Sequence, residues 1–367
     1  MNRVIISGGG TGGHINPALA IANEIKKRNP QAEILFVGAK GRMEMERVPK
    51  AGYEIKGLWI DGIQRSLSFR NLMFPLKLIV SLIHSWLILR KFKPEACIGV
   101  GGFASGPLLY MATVLKIPTL IQEQNSYAGL TNKLLGNRID KVCAGFEKGM
   151  ERYFPKNKVV ATGNPVREDL VEVEKIDENE ALNYFGLQSN RPVLLVIGGS
   201  LGAKSVNLAM SKCVKNLLDQ GLQVIWQTGK FYYDAIVEEQ ANLAEDPHLK
   251  IMAFVERMDF AYRVADVVVS RAGALSIAEL EVVGKPSIFV PSPNVAEDHQ
   301  TKNAESLLDQ NACLLVKDSE LDTKLEKQII DLVENTSLMK ELADNMNKVS
   351  KPYATKKIVD EIEKLKA

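Results

Sequence analysis

The sequence predicts an α/β protein made of two doubly wound halves, and three observations support this fold class. Short apolar strands alternate with helical segments along most of the 367 residues. Each half opens with an apolar strand that runs into a glycine-rich turn, at residues 4–13 and again at residues 192–203. Polar side chains gather where the strands end, which is typical of parallel sheets whose ligands bind outside the carboxyl ends of the strands.

The composition is that of an ordinary globular protein and narrows the function only by exclusion. Hydrophobic residues make up 46% of the chain, charged residues 25%, and the net charge is +2. Nucleic acid is therefore not an expected partner, since such proteins usually carry a clear basic excess. The first glycine turn begins at Gly8 and leaves no room for a signal peptide. We expect a cytosolic protein whose four scattered cysteines are buried thiols, namely Cys97, Cys143, Cys213 and Cys313.

The first half carries most of its strand signals in short apolar runs. Residues 51–63 contain short apolar pieces broken by Gly52, Gly57 and Gly62. The strands are expected at residues 4–7, 33–37, 96–100, 118–122, 141–145 and 158–163.

The second half repeats this pattern after an acidic run at residues 168–180, which is expected to be a solvated linker or a first helix. Charged amphipathic helices fill the last 47 residues, and Pro352 breaks their pattern. The strands are expected at residues 192–197, 223–227, 249–254, 265–270 and 286–291. We predict domains at residues 1–164 and 165–351, with residues 352–367 packing back on the first, and one cleft between the carboxyl ends of the two sheets.

The most apolar stretch of the chain runs from Leu72 to Phe92. Its longest uncharged run, residues 78–89, is too short to cross a bilayer, which takes roughly 20 residues. A core helix with a solvated basic end is one interpretation. The other is a helix that rests one face on an anionic membrane surface. The basic residues that flank or interrupt it are Arg65, Arg70, Lys77, Arg90, Lys91 and Lys93.

The first glycine turn, residues 8–13, leads into a helix that has His14 in its first turn. Such a turn aims unpaired N–H groups and the positive end of a helix dipole at one point, which suits a phosphate. Gly8-x-Gly10-x-x-Gly13 also matches the dinucleotide fingerprint, so an NADP-dependent reductase is an alternative. The second strand is followed by Lys40 and Arg42, which could hold a 2′-phosphate, rather than by the acid that would bind the ribose of NAD.

The second half offers a way to stabilise a nucleoside diphosphate without a metal ion. The sequence contains neither a P-loop nor an Asp-x-Asp pair. Two turns that each open a helix, residues 198–202 and 273–276, could hold a leaving diphosphate together with Arg167 at the domain junction. Glu279, one helical turn beyond Leu275, could accept hydrogen bonds from two ribose hydroxyls. Neither a cofactor nor a metal site is expected.

Five motifs, in order along nearly the whole chain, carry a specific resemblance. They are residues 9–14 (GGTGGH), 123–125 (EQN), 163–167 (GNPVR), 198–203 (GGSLGA) and 273–279 (GALSIAE). Together they resemble the MurG family, the peptidoglycan N-acetylglucosaminyltransferases of bacteria. The resemblance implies a GT-B fold, with two Rossmann-like domains facing a central cleft. It further implies inverting transfer of N-acetylglucosamine from UDP-GlcNAc to the 4-hydroxyl of the muramyl sugar of lipid I, giving lipid II at the cytoplasmic face of the membrane.

The resemblance also implies which residues surround the donor and which carry the chemistry. His14 is the first candidate for the base that takes the acceptor proton, because histidine ordinarily titrates near neutral pH, and Glu123 is the reserve. Gln300 follows His299 where some relatives carry two glutamines, and Val255 is expected to act through its backbone. The residues implied around UDP-GlcNAc are Thr11, Gly12, Gly13, Asn125, Arg167, Ser200, Val255, Ala274, Leu275, Ser276, Ile277, Ala278, Glu279 and Gln300.

Three alternatives come from other classes of protein. A reductase would bind NADPH and ignore UDP. A sugar-nucleotide epimerase on the same two-domain fold would convert UDP-GlcNAc with no acceptor present, and it would not need the membrane-facing stretch at residues 72–92. A non-catalytic module would bind the sugar nucleotide without transferring the sugar.

Overall fold

The computed structural model describes residues 1–62, 72–199, 201–243 and 245–365. The chain forms two compact units, Met1–Val166 with Tyr353–Ala367 and Arg167–Pro352. The sequence analysis had drawn this division after residue 164 and had assigned residues 352–367 to the first domain. Each unit is built on its own parallel sheet, so the expected pair of Rossmann-like, doubly wound domains is confirmed.

Unit 1 contains a seven-stranded parallel sheet in the order β3-β2-β1-β4-β5-β6-β7. Apolar side chains cover both faces of the sheet. The strands are β1 (Arg3–Ser7), β2 (Glu33–Ala39), β3 (Glu54–Leu58), β4 (Ala96–Gly99), β5 (Thr119–Glu123), β6 (Lys141–Ala144) and β7 (Val159–Ala161). The helices are α1 (Gly12–Arg28), α2 (Glu44–Lys50), α3 (Phe74–Phe92), α4 (Ser105–Val114) and α5 (Leu130–Leu135), with α15 (Ala354–Lys364) from the end of the chain.

Helix α15 packs on α1 through Ile358, Val359 and Ile362, which are buried in the same core cluster as Ile21 and Ile25 of α1. Arg28, at the end of α1, adds ion pairs to this contact. Its guanidinium donates to Asp360 at 2.7 Å and to Glu363 at 2.9 Å. Ionic and apolar contacts together hold the last helix on unit 1.

Unit 2 repeats the strand order of unit 1 with six strands, β10-β9-β8-β11-β12-β13. The strands are β8 (Val193–Ile197), β9 (Gln223–Gln227), β10 (Leu249–Met252), β11 (Val267–Ser270), β12 (Ser287–Phe289) and β13 (Leu314–Leu315). The helices are α6 (Glu168–Val171), α7 (Glu178–Phe185), α8 (Lys204–Asp219), α9 (Tyr233–Glu239), α10 (Met258–Val264), α11 (Ala274–Val283), α12 (His299–Leu308), α13 (Leu321–Glu334) and α14 (Thr336–Val349).

Two strands were missing from the sequence prediction, whereas the first helix expected as one of two possibilities for the acidic run is present. Strand β3 lies at the edge of its sheet and alternates between polar and apolar residues around Gly57, so its apolar signal is weak. Strand β13 has only two residues. Residues 168–180 contain α6 and the start of α7, where the Asp177 side chain caps the helix by accepting from the N–H of Asn179.

The strand order indicates where each unit would bind a ligand. In both sheets the order reverses beside the first strand, between β1 and β4 in unit 1 and between β8 and β11 in unit 2. Ligands of open α/β sheets bind in the crevice at this reversal, outside the carboxyl ends of the strands. The glycine turns predicted at residues 8–13, 198–202 and 273–276 follow β1, β8 and β11, and a further turn at residues 100–104 follows β4.

All four cysteines are free and buried, as expected. Burial raises the pKa of the Cys143, Cys213 and Cys313 thiols to about 12. Among the described ranges, no helix is both long and apolar enough to span a membrane, and no group of three or more His, Cys, Asp or Glu side chains could hold a metal ion.

Candidate active site

In unit 1, the turn after β1 is packed against the turn after β4. A Cβ on Gly102 would come within 2.6 Å of the Gly9 carbonyl oxygen, so only glycine fits at this approach. Gly101 has a φ of +100° and lies directly against the His14 ring. Ser105, at the start of α4, donates to the carbonyl of Ser7 at 3.0 Å and to that of Gly101 at 2.9 Å. Both turns are therefore held as one rigid surface.

His14 is oriented by this surface. Its Nδ1 lies 2.8 Å from the Gly9 carbonyl oxygen. Because a carbonyl only accepts, Nδ1 carries the proton, which leaves Nε2 of the neutral ring as a proton acceptor. The ring is half-buried. An oriented imidazole with Nε2 unprotonated is the arrangement that a general base requires.

Glu44 of α2 lies behind the same glycine turn, and the sequence analysis missed it. Its carboxylate accepts from the Gly10 N–H at 2.8 Å and from the Ala39 N–H at 2.9 Å, and the residue is 1% exposed. It also lies against Gly9, where a Cβ would be 2.2 Å from the carboxyl carbon. A carboxylate in this place repels a pyrophosphate, which argues physically against the dinucleotide alternative. The sequence interpretation had considered residues 37–42 as the place for an acid, and Glu44 lies two residues beyond them.

Glu123 ends β5 and is nearly fully buried, at 2% exposure. Its carboxylate accepts from the Asn125 N–H at 3.1 Å, the Gly129 N–H at 2.9 Å and the Asn132 amide at 2.7 Å. Three donors thus occupy the carboxylate, and they fix the turn that carries Asn125. This geometry favours a positioning role for Glu123 over the role of a base.

A buried amide network holds the next turn and the exit from unit 1. Gln122 donates to the Asn164 side chain at 2.9 Å, and Asn164 donates to the Gln124 carbonyl at 2.9 Å. Gln124 in turn donates to the Val100 carbonyl at 2.9 Å. The network ties the end of β5 to the turn after β4 and to residue 164, two residues before unit 1 ends.

In unit 2, the turn after β8 also depends on a close backbone approach. Gly202 has a φ of +78°, and a Cβ there would lie 2.0 Å from the Thr228 carbonyl oxygen. Gln227 at the end of β9 donates to the Gly199 carbonyl at 2.9 Å. Its side-chain oxygen accepts from the Val255 N–H at 3.4 Å. Val255, whose side chain is fully buried, is thus joined to the glycine turn by its backbone; Ser200 lies outside the described residues.

Arg271 supports the second turn of unit 2 and was likewise missed by the sequence analysis. Its guanidinium donates to Asp318 at 2.5 Å, to the Ser205 hydroxyl at 2.6 Å and to the Val290 carbonyl at 3.1 Å. Ser205 lies in the first turn of α8, and Arg271 itself lies just before α11. A single half-buried cation, paired with Asp318, therefore joins the starts of two helices.

The residues Ala274, Leu275, Ser276, Ile277, Ala278 and Glu279 form the first six positions of α11, and Gly273 precedes them in an extended conformation. The Glu279 carboxylate accepts from the Tyr262 hydroxyl at 3.1 Å. Burial raises the pKa of the Glu279 carboxyl, and the nearby Arg167 opposes this rise. The structure thus brings Arg167 and Glu279 into one electrostatic environment inside unit 2.

The remaining predicted donor residues lie at helix starts. Thr11 precedes α1, whose first two residues are Gly12 and Gly13. Arg167 precedes α6, and its side chain lies 3.4 Å from Asp169. Gln300 is the second residue of α12, and its side-chain oxygen accepts from the Ser292 N–H at 2.9 Å, which closes the loop after β12.

Comparison with known protein families matches both halves of the chain to the same glycosyltransferase family. Residues 4–144 match the model of the glycosyltransferase family 28 N-terminal domain, and residues 193–360 match that of the family 28 C-terminal domain. A UDP-N-acetylglucosamine--N-acetylmuramyl-(pentapeptide) pyrophosphoryl-undecaprenol N-acetylglucosamine transferase from Flavobacterium psychrophilum is 50% identical over 99% of this chain and 97% of its own. The protein of the same name from Cytophaga hutchinsonii is 52% identical over 98% and 96%.

The chain belongs to the MurG family of N-acetylglucosamine transferases. The crystal structure of Acinetobacter baumannii MurG superimposes with a TM-score of 0.80 at 29% identity, over 99% of this chain and 100% of that one. Because the chain belongs to this family, the hypothesis of an NADP-dependent reductase is no longer supported. A UDP-GlcNAc 2-epimerase from Neisseria meningitidis, at 16% identity and a TM-score of 0.66, shares the fold alone, so the epimerase alternative has no closer support.

Proposed function

We propose that this protein transfers N-acetylglucosamine from UDP-GlcNAc to the 4-hydroxyl of the muramyl sugar of lipid I, producing lipid II. The observation that carries the proposal is the near-complete match, at 50% identity, to a transferase whose name states this donor sugar and this acceptor. The geometry supports it, because unit 1 carries an oriented histidine and unit 2 carries two helix starts suited to a diphosphate.

The reaction is a single displacement with inversion. Nε2 of His14 takes the proton of the acceptor 4-hydroxyl as its oxygen attacks the anomeric carbon of N-acetylglucosamine. The bond from that carbon to the diphosphate oxygen breaks, and UDP leaves with the electron pair. The Nδ1–H bond to the Gly9 carbonyl keeps Nε2 as the accepting nitrogen, and the proton later passes from the imidazolium to solvent.

Unit 2 binds the donor in this proposal. The starts of α8 and α11 aim backbone N–H groups at the diphosphate, and Arg167 adds positive charge as UDP leaves. Glu279 accepts hydrogen bonds from the ribose hydroxyls. The other proposed UDP-GlcNAc residues are Thr11, Gly12, Gly13 and Asn125 in unit 1 and Ser200, Val255 and Gln300 in unit 2.

Transfer of labelled sugar tests the proposal directly. The purified protein is incubated with UDP-[14C]GlcNAc and a lipid I analogue that carries a shortened lipid. We expect a labelled disaccharide-diphospholipid and one UDP for each sugar transferred. Release of free sugar, or conversion of UDP-GlcNAc in the absence of acceptor, would contradict the proposal.

We also propose that unit 1 rests on an anionic membrane surface through α3, at the cytoplasmic face where lipid I is presented. Leu76, Ile79, Ile83 and Leu87 share one face of this helix and are each 50–55% exposed. A soluble protein rarely leaves such a continuous apolar stripe in water. The neighbouring α4 and α5 add Val114 and, at 61% and 74% exposure, Leu130 and Leu134.

The basic residues divide into two groups. Arg90, Lys91 and Lys93 are exposed at the end of α3, where they would meet anionic headgroups. Lys77 is 14% exposed and pairs with Asp61, so we do not assign it to the membrane. Arg65 and Arg70, which the sequence analysis also placed beside this stretch, lie outside the described residues.

Vesicle flotation distinguishes a membrane-binding α3 from a helix that only packs in the core. We expect the wild-type protein to float with vesicles that contain phosphatidylglycerol, and the Ile79→Glu/Ile83→Glu variant to remain in solution. The matched control is Leu208→Glu, an exposed leucine of α8 in unit 2, which should float like wild type. Equal flotation of the double variant and wild type would contradict the membrane proposal.

A further inference from the structure

Tyr262 makes a hydrogen bond to one of the proposed donor-binding residues and has no role assigned so far. This side chain is fully buried in α10, which carries none of the residues that the sequence analysis placed at the site. Its hydroxyl donates to Oε2 of Glu279 at 3.1 Å. We infer that Tyr262 is the positioning residue that fixes the Glu279 carboxylate for recognition of the donor ribose. The inference rests on the proposed function, because it takes Glu279 as the ribose ligand.

The first argument is geometric. A glutamate side chain has three rotatable bonds, so a half-buried carboxylate must lose rotamer freedom before it can accept from two hydroxyls at fixed positions. The bond from Tyr262 removes part of that freedom before the donor arrives. It uses one acceptor position on Oε2 and leaves Oε1 and the second position of Oε2 for the ribose.

The second argument concerns charge. Burial raises the pKa of the Glu279 carboxyl, and Asp169 raises it further. Arg167 and the hydrogen bond from Tyr262 act in the opposite direction. Burial also raises the pKa of the Tyr262 phenol well above its ordinary value, so the hydroxyl stays protonated and remains a donor. The hydrogen bond from Tyr262 therefore favours the ionised form of Glu279, which is the form that accepts two hydrogen bonds.

The test compares UDP with 2′-deoxy-UDP in binding titrations of wild type and Tyr262→Phe. Wild type should prefer UDP by about tenfold, the value of one hydrogen bond to a charged group. Tyr262→Phe should lose most of that preference, because its affinity for UDP falls more than its affinity for 2′-deoxy-UDP, which keeps only the 3′-hydroxyl. The ratio of affinities within one variant is insensitive to how much of the protein is folded.

The control is Tyr53→Phe, which removes a tyrosine hydrogen bond to Asn23 at 2.7 Å in unit 1 and should keep the wild-type preference. A second readout is the pH profile of UDP binding. Without the tyrosine hydroxyl the pKa of Glu279 rises, so UDP affinity should begin to fall at a higher pH than in wild type as the solution is acidified.

Two results overturn the inference in distinguishable ways. If Tyr262→Phe keeps the wild-type preference and pH profile, or weakens both nucleotides equally, Tyr262 is only a packing residue and the proposed function stands. If wild type itself does not bind UDP, the assignment of unit 2 to the donor fails, and this inference fails with it.

Discussion

The two units share a strand order and a pair of glycine turns, yet the charged side chain behind the turns differs in sign. In unit 1 the buried carboxylate of Glu44 accepts the Gly10 N–H that a phosphate would otherwise use. In unit 2 the neutral Gln227 supports the turn after β8, and the Arg271 guanidinium, paired with Asp318, supports the turn after β11. The same fold can therefore present a turn that holds a base in unit 1 and a turn that suits a diphosphate in unit 2.

The largest effect that this comparison predicts belongs to His14. Replacing it with alanine removes the proton acceptor but leaves unit 2 unchanged, so kcat should fall at least about 100-fold while UDP affinity stays the same. Steady-state kinetics and a UDP titration measure the two quantities. His248→Ala, which removes a half-buried histidine of unit 2, serves as the control. Unchanged turnover in the His14 variant would remove it as the base.

Arg271→Lys tests the cationic support in unit 2. Lysine cannot reproduce the fork that joins Asp318, Ser205 and the Val290 carbonyl. We expect the Kd of UDP to rise about tenfold, equivalent to the loss of one charged hydrogen bond, with the KM of the acceptor unchanged. Arg263→Lys, which alters an arginine bound to Glu178 and to the Ile176 carbonyl, is the control. A change in acceptor KM alone would reverse the assignment of the two units.

Glu44→Gln tests the anionic support in unit 1. One side-chain oxygen becomes an NH2 group that faces a backbone N–H of Gly10 or Ala39, which loses a hydrogen bond and loosens the turn. We expect kcat/KM for the acceptor to fall about fivefold and UDP affinity to stay within twofold of wild type. Stronger UDP binding by this variant would show that the turn after β1 also takes the nucleotide diphosphate.

The smallest expected effect concerns Glu281, a half-buried carboxyl on α11 of unit 2. Burial raises its pKa to about 8, against about 4.3 in an unfolded chain. The unfolded form thus ionises first, and stability falls as the pH rises from about 4 to about 8. Glu281→Gln should raise the melting temperature by a few degrees at pH 8 and change it little at pH 5. An equal change at both pH values would contradict this origin.

A structural feature could be predicted from the sequence when its signal lies within a short stretch of residues. A buried strand followed by glycines is visible within about ten residues, so the turns at residues 8–13 and 198–203 and the parallel-sheet class could be predicted. Strands β3 and β13 could not, because an edge strand of alternating residues and a two-residue strand lack a continuous apolar run.

The supporting side chains were missed for a different reason. Glu44, Arg271 and Tyr262 act through contacts with residues 17 to 66 positions away, or with backbone atoms of another strand. Nothing in their immediate sequence distinguishes them from solvated residues. Such groups become visible only when the sheet order brings the strand ends together.

Hydrogen exchange in the presence of UDP tests most directly the claim that unit 2, and not the turn after β1, binds the nucleotide. UDP lacks the sugar, so it should not reach the far end of the donor site. We predict slower exchange in peptides that cover residues 201–207 and 271–279, with residues 8–15 unchanged. Protection of residues 8–15 without protection in unit 2 would contradict the account.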